Sequence, residues 1–343
     1  MTAGARVGGL RAWLVPGAIL LLIAVITVVF AVLNRPETYP DPPAGWKTIR
    51  PPYIVLALEE QGDTIWAGGP DGLAGLDRGT GAVTPRLPGG VAELRYVRDL
   101  CIDRYGALWI AHLAGVTRWD EESVTTFTGD DGLAPGYAAA LVQDRNGVIW
   151  VGTESGVATY DGEQWRPLTG ADWPGAVPVT VIFEDDQEML WFGSDSVNDV
   201  GLLRYDGVMM TTISVDDGLA HNTVTDILQA SDGAMWIATG LGERGGATRI
   251  QGENITSLTK KDGLSGERAR ALFEDSGGRL WITSEWDGAV VLEPGQWRTI
   301  TPRQGLAGWE VMDIVEDSGG VLWLATDNGI TRIESARAVF GQG

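Results

Sequence analysis

Seven tryptophans recur in one sequence context: Trp66, Trp109, Trp150, Trp191, Trp236, Trp281 and Trp323. Their spacings are 43, 41, 41, 45, 45 and 42 residues. Each stands in a short apolar run that follows a turn and precedes a glycine, as in Gly147-Val148-Ile149-Trp150-Val151-Gly152 and Gly320-Val321-Leu322-Trp323-Leu324-Ala325. Seven copies at this period mean one supersecondary unit repeated, because a single unit cannot bury its own apolar face and must stack on neighbours.

Each unit reads as four short strands. Ala140-Leu141-Val142-Gln143 opens the third copy, and Asp144-Arg145-Asn146-Gly147 supplies the backbone angles of a tight turn. The Trp strand follows, then a glycine turn into Val157-Ala158-Thr159-Tyr160. Asp161-Gly162 leads to Gln164-Trp165-Arg166-Pro167-Leu168. Four strands in about 41 residues is the period of a propeller blade, and helical spacing is absent beyond residue 35. The expected fold is all-β, a seven-bladed β-propeller over 46–333. The last copy ends after its third strand, Ile330 to Ile333, while Gly45-Trp46-Lys47-Thr48-Ile49 precedes the first and resembles the fourth-strand sequence Gln296-Trp297-Arg298-Thr299-Ile300. Residues 46–49 are therefore expected to pair beside 330–333, closing the ring so that no strand edge is left open.

Ahead of the repeats, the stretch between Arg11 and Asn34 holds no charged residue. As a helix it would span roughly the 30 Å hydrocarbon core of a bilayer. Its length, and the absence of a small-residue cleavage site at Ala31-Val32-Leu33-Asn34, favour an uncleaved anchor over a signal peptide. The expected order is a short cytoplasmic tail (1–11), one transmembrane helix (12–34), a Pro-rich stalk (35–45), the propeller, and a C-terminal tail (334–343). Arg6 and Arg11 favour a cytoplasmic N-terminus and hence an extracytoplasmic propeller, although Arg35, Lys47 and Arg50 on the other flank weaken the asymmetry.

Charge narrows the partners. The formal net charge is −21, and residues 1–35 contain no Asp or Glu. The rest is strongly acidic, which argues against nucleic acid and against broad docking on anionic lipid. A cationic ligand or basic surface suits that field, but acidity also serves solubility alone. Cys101 is the only cysteine and reads as an inert thiol in an apolar run. His112 and His221 fall in non-neighbouring units and form no metal-binding or nucleophile–base motif. No cofactor or metal is expected. Asp195, Asn198 and Asp199 are the nearest approach to a calcium cluster, without the spacing of a helix–loop–helix site.

The acidic-Gly turn, the Leu-Trp-Ile strand, the Asn-Gly turn and the Thr-Arg-Ile strand together resemble the two-component regulator propeller repeat. Asp131-Gly132-Leu133, Asp217-Gly218-Leu219 and Asp262-Gly263-Leu264 match the same pattern. The resemblance implies an extracytoplasmic ligand-sensing domain of the kind joined to bacterial sensor kinases. No kinase or output domain is expected after the last copy, so signalling is expected to require a separate partner such as a sensor kinase. An envelope-protein scaffold is the alternative. A lyase or hydrolase is a weaker one, by analogy with seven-bladed antibiotic-opening lyases.

A site must be sought where the repeat is broken. From the Trp to the next turn glycine is six residues in copies 1, 2, 3 and 7, but ten in copies 4 and 5 and seven in copy 6. Those longer loops should gather on one sector of one rim with the blade-to-blade connections. The candidate ligand-binding residues are Trp173, Asn198, Asp199, His221, Asn222, Glu243, Arg244, Glu285, Trp286 and Trp309, suited to a small molecule, glycan or peptide. Neutral drift of loop length would leave the same signature.

Overall fold

The computed structural model describes residues 39–334 except 85–86, 88, 121, 170–172, 196–199 and 294–295. The expected membrane helix, the N-terminal tail and most of the C-terminal tail lie outside the described residues. Among the described residues, no helix is long and apolar enough to cross a membrane.

The described chain is seven antiparallel sheets, one per Trp repeat. Six sheets have four strands. The first has three, with a single bridge between Leu76 and Val83 where a fourth strand would run. Pro85 and Pro88 follow that bridge in the sequence and have no backbone N–H to offer a ladder. In the seventh sheet the outer strand is Trp46–Ile49, with Trp46 opposite Ile333 and Ile49 opposite Ile330. The outermost strand of the last blade thus comes from the start of the propeller.

Each Trp is a wedge between two blades. Trp109 packs in one buried cluster with Leu141 and Ile149 of the next blade. Trp150 packs with Ile182 and Phe192, and Trp323 with Leu58 and Ile65 of the first blade. A polar clasp holds the ring in place. Asp144 Oδ2 accepts the indole N–H of Trp150 at 2.9 Å, while its Oδ1 accepts the Val148 N–H across the turn. Asp103, Asp185, Asp275 and Asp317 do the same for Trp109, Trp191, Trp281 and Trp323. In the first blade the turn is one residue shorter and Gln61 replaces the Asp. The repeated turn acids are therefore structural: one carboxylate closes the hairpin and satisfies a buried indole donor.

The Asp-Gly-Leu signature has an equally local cause. Asp131 caps a single 3-10 turn by accepting from the N–H of Thr128. Gly132 then takes φ 101°, a left-handed conformation, and Leu133 turns into the core. The same turn recurs at Ser214–Gly218, Thr259–Gly263 and Thr301–Gly305. These turns carry the chain from the outer strand of one blade to the inner strand of the next.

Candidate functional site at the channel mouth

The first strands of the blades, such as Asp99–Ile102, Val224–Gln229 and Val311–Glu316, contact one another in sequence around the ring and so line the central axis. In blades 3 to 7 the pairing register slips near the start of this strand, for example between Val224 and Asp226. Such a bulge leaves a residue unpaired and re-aims its side chain. The equivalent residues of the seven blades are Leu56, Arg98, Ala139, Thr180, Thr225, Arg270 and Met312, and all seven line one cavity of about 390 Å³. The cavity therefore sits on the axis. It opens on the face carrying the second-to-third-strand loops, because Asp195, Leu241 and Glu285 from those loops also line it.

The chemistry of this mouth is not repeated around the ring. Arg98 lies over the Tyr137 ring, its guanidinium carbon 4.4 Å from the centroid. Arg268 is ion-paired with Glu285, and Arg270 Nε donates to Glu310 at 3.0 Å. Burial pushes the Glu310 carboxyl up to about 6, against the pull of Arg270. Three guanidinium groups thus converge on one concavity of a strongly acidic protein.

Beneath them lies a ring of acids. Asp99, Asp226 and Asp313 each stand ten residues before their blade's Trp, where blades 3, 4 and 6 have Ala140, Val181 and Ala271. Each acid reaches to the next blade. Asp99 Oδ2 accepts from the Leu141 N–H at 2.6 Å. Asp226 accepts from Leu272 and Asp313 from Leu58, both at 2.7 Å. The other oxygen of each accepts from the following residue's N–H. Enclosure by the inner strands outweighs these bonds. It raises Asp99 and Asp226 to about 7 and Asp313 to about 6, and repulsion from neighbouring aspartates adds to the first two. Glu59, where the other blades place an apolar residue, is raised to about 8 by burial and by the charges of Asp99 and Asp313. The same surroundings push the Cys101 thiol up to about 12, so it is neutral and unreactive.

The residues expected from loop lengths are divided by the structure. Glu285 lines the cavity, and Trp286 beside it is 58% exposed. Glu243 and Arg244 are exposed at the tip of a hairpin. There the insertion lengthens both strands, Met235–Leu241 and Arg244–Gln251, and makes no loose loop. His221 accepts from the Thr223 N–H, and burial with the nearby Arg244 lowers its pKa. Asn222 is buried and accepts from the Val215 N–H at 2.8 Å. Trp309 is half-buried, its carbonyl accepting from Gly288. Trp173 packs in the core, edge-on to Phe192 with centroids 5.3 Å apart, and at 3% exposure presents no ring face to a ligand. Asn198 and Asp199 lie outside the described residues. His112 is buried, with Nε2 2.9 Å from Thr117 Oγ1, and burial lowers it to about 4. Loop length did not reveal Arg98, Tyr137, Arg268, Arg270 or the three aspartates. The signal for most of them is on the inner strand, where charged residues replace apolar ones at fixed distances from the Trp.

Fold and axial cavity define a seven-bladed β-propeller with its least repetitive chemistry at one end of the channel. Two stretches, residues 132–155 and 218–240, match the family model of the two-component regulator propeller repeat. No curated protein sequence matches the chain. Among solved structures, the extracellular domain of a putative hybrid two-component system from B. thetaiotaomicron is similar, with 18% identity and a TM-score of 0.73. That likeness covers 88% of this chain and 42% of the other, so this chain spans less than half of it. A catalytically inactive virginiamycin B lyase from Staphylococcus aureus, solved with quinupristin, is 16% identical over 84% of this chain and 98% of its own, with a TM-score of 0.64. PorZ, a bacterial surface component of the type-IX secretion system of Porphyromonas gingivalis, is 12% identical over 88% of this chain and 48% of its own, also with a TM-score of 0.64. At these identities the likenesses establish the fold.

Proposed function

We propose that this propeller is the ligand-recognition part of an extracytoplasmic sensing system, tethered by residues 12–34 and seating its ligand in the channel mouth. The observation that carries this reading is the axial cavity itself. It is built from equivalent positions of all seven blades, yet its side chains differ from blade to blade. Structural positions in this protein repeat, as the Asp–Trp clasps do, whereas a recognition site has to be asymmetric. The volume of about 390 Å³ lies in the range of small-molecule sites. The two-component regulator repeats and the fold of the hybrid-system domain support a sensing role.

A docking role is the second reading. Tyr53, Tyr96, Leu113 and Trp286 on loops, and Leu241 at a hairpin tip, are large exposed apolar residues of the same face. A partner protein seated there would cover the mouth and could read its occupancy.

The test is capture. The full chain is purified in mild detergent and released small molecules are identified by mass spectrometry, beside Ala139→Trp and Thr180→Trp, which fill the mouth from two neighbouring blades. A compound retained by the wild type and lost from both folded variants supports the proposal. A compound retained equally by all three, or none in the wild type, contradicts it.

A further inference from the structure

Resting on the reading of the channel mouth as a ligand site, we infer that its ligand is a small organic anion, with a carboxylate gripped between Arg98 and Arg270. The acidity of the chain as a whole favours the opposite, so the local geometry has to outweigh it.

Arg98 has no carboxylate within ion-pair distance among the described residues, and its charge is held in place by the Tyr137 ring. The ring restrains the charge on one side, and no N–H of the exposed Arg98 side chain donates to another described residue. Arg268 and Arg270 are held differently, each by one acid from the rim, Glu285 and Glu310. Glu310 takes the Nε edge of Arg270. A guanidinium has five N–H donors in a planar fork, so one carboxylate leaves donors for a second anion. All three arginines line the same cavity. Arginines immobilised in this way lose little freedom on gripping a carboxylate bidentately.

The acids beneath do not cancel this. Asp99, Asp226 and Asp313 each turn both oxygens to backbone N–H donors, so their lone pairs are partly used and their charge is spread along the inner strands. Their raised pKa values further reduce the negative charge below the mouth near neutral pH. Of the rim acids, Asp195 and Glu285 line the cavity, and they supply acceptors for hydroxyl or amide groups of the same ligand.

The test uses the full chain in detergent, with succinate and citrate as carboxylate probes, succinamide as the uncharged isostere, and inorganic phosphate as the second anion, all at matched ionic strength. Isothermal titration should show succinate or citrate binding at least ten-fold tighter than succinamide. Arg98→Gln and Arg270→Gln should each weaken that binding about ten-fold or more while the melting temperature of the free protein stays close to wild type. Arg98→Lys should restore part of it. Equal affinity for succinate and succinamide, no measurable binding of either carboxylate, or indifference to both arginine variants overturns the inference. Binding of phosphate alone overturns the carboxylate assignment. If the captured native ligand proves neutral or cationic and is still lost from Ala139→Trp, the site survives and the anion assignment falls.

Discussion

Asp226→Asn should make stability less dependent on pH, and the sign of its effect should reverse between acid and alkaline conditions. The Asp226 carboxyl is raised from 3.8 to about 7 by enclosure in the channel and by the charges of Asp313 and Asp99. A carboxyl raised by folding binds its proton more tightly in the native state than in the unfolded chain. Its contribution is fully present below the unfolded pKa and is lost as pH rises through about 7. A displacement of roughly three pH units, at about 1.4 kcal/mol per unit, puts the loss at no more than roughly 4 kcal/mol, and channel water will reduce it. Asparagine has no such cost. It does give up one acceptor, for either Leu272 or Ile227, at about 1–3 kcal/mol. The variant should therefore be less stable than wild type near pH 5 and equal to it or more stable near pH 8. Urea unfolding followed by tryptophan fluorescence at pH 5, 6.5 and 8 reads both curves. A difference between the two proteins that stays constant over this range, or grows with pH against the variant, would refute the reasoning.

Other perturbations test separate links. Asp144→Ala removes the acceptor of the Trp150 indole and of the Val148 N–H, so denaturant unfolding should show a loss of about 2–4 kcal/mol. Ile49→Ala removes a buried side chain, 5% exposed, where the first strand joins the last blade. It should cost about 2–5 kcal/mol, and amide exchange should speed up in Gly329–Ile333 as well as locally. Carboxylate affinity at the mouth should strengthen as pH falls from about 8 to 6, because Asp99 and Asp226 near 7 and Glu310 near 6 lose negative charge over that window. Titration calorimetry with succinate checks it, and weaker binding at the lower pH would contradict it.

The repeat was legible because the Trp wedge recurs in every blade and the turn acid in five of them, where one aspartate serves both the hairpin and the indole six residues later. The seven-bladed ring follows from that count. The fourth strand of the first blade was harder to read, since its sequence is rich in Pro and Gly, and among the described residues an isolated bridge between Leu76 and Val83 stands in its place. The site was only partly legible. Loop lengths point to the face of blades 4 to 6 on which the axial cavity opens, and Glu285 and Asp195 line that cavity. They mislead at Trp173, since loop length says nothing about which way a ring turns. Arg98, Arg270 and the aspartates sit within strands whose length does not vary. Their signal is a change of side-chain chemistry at a bulged inner position, and a bulge cannot be seen in the spacing of the repeat.

The most direct measurement of the central claim is a crystal or cryo-electron microscopy structure of the full chain with its captured ligand. The account predicts density on the axis at the channel mouth, with an acidic group between Arg98 and Arg270. A ligand bound on the outer rim or between blades, with the axial mouth holding only solvent, would contradict it.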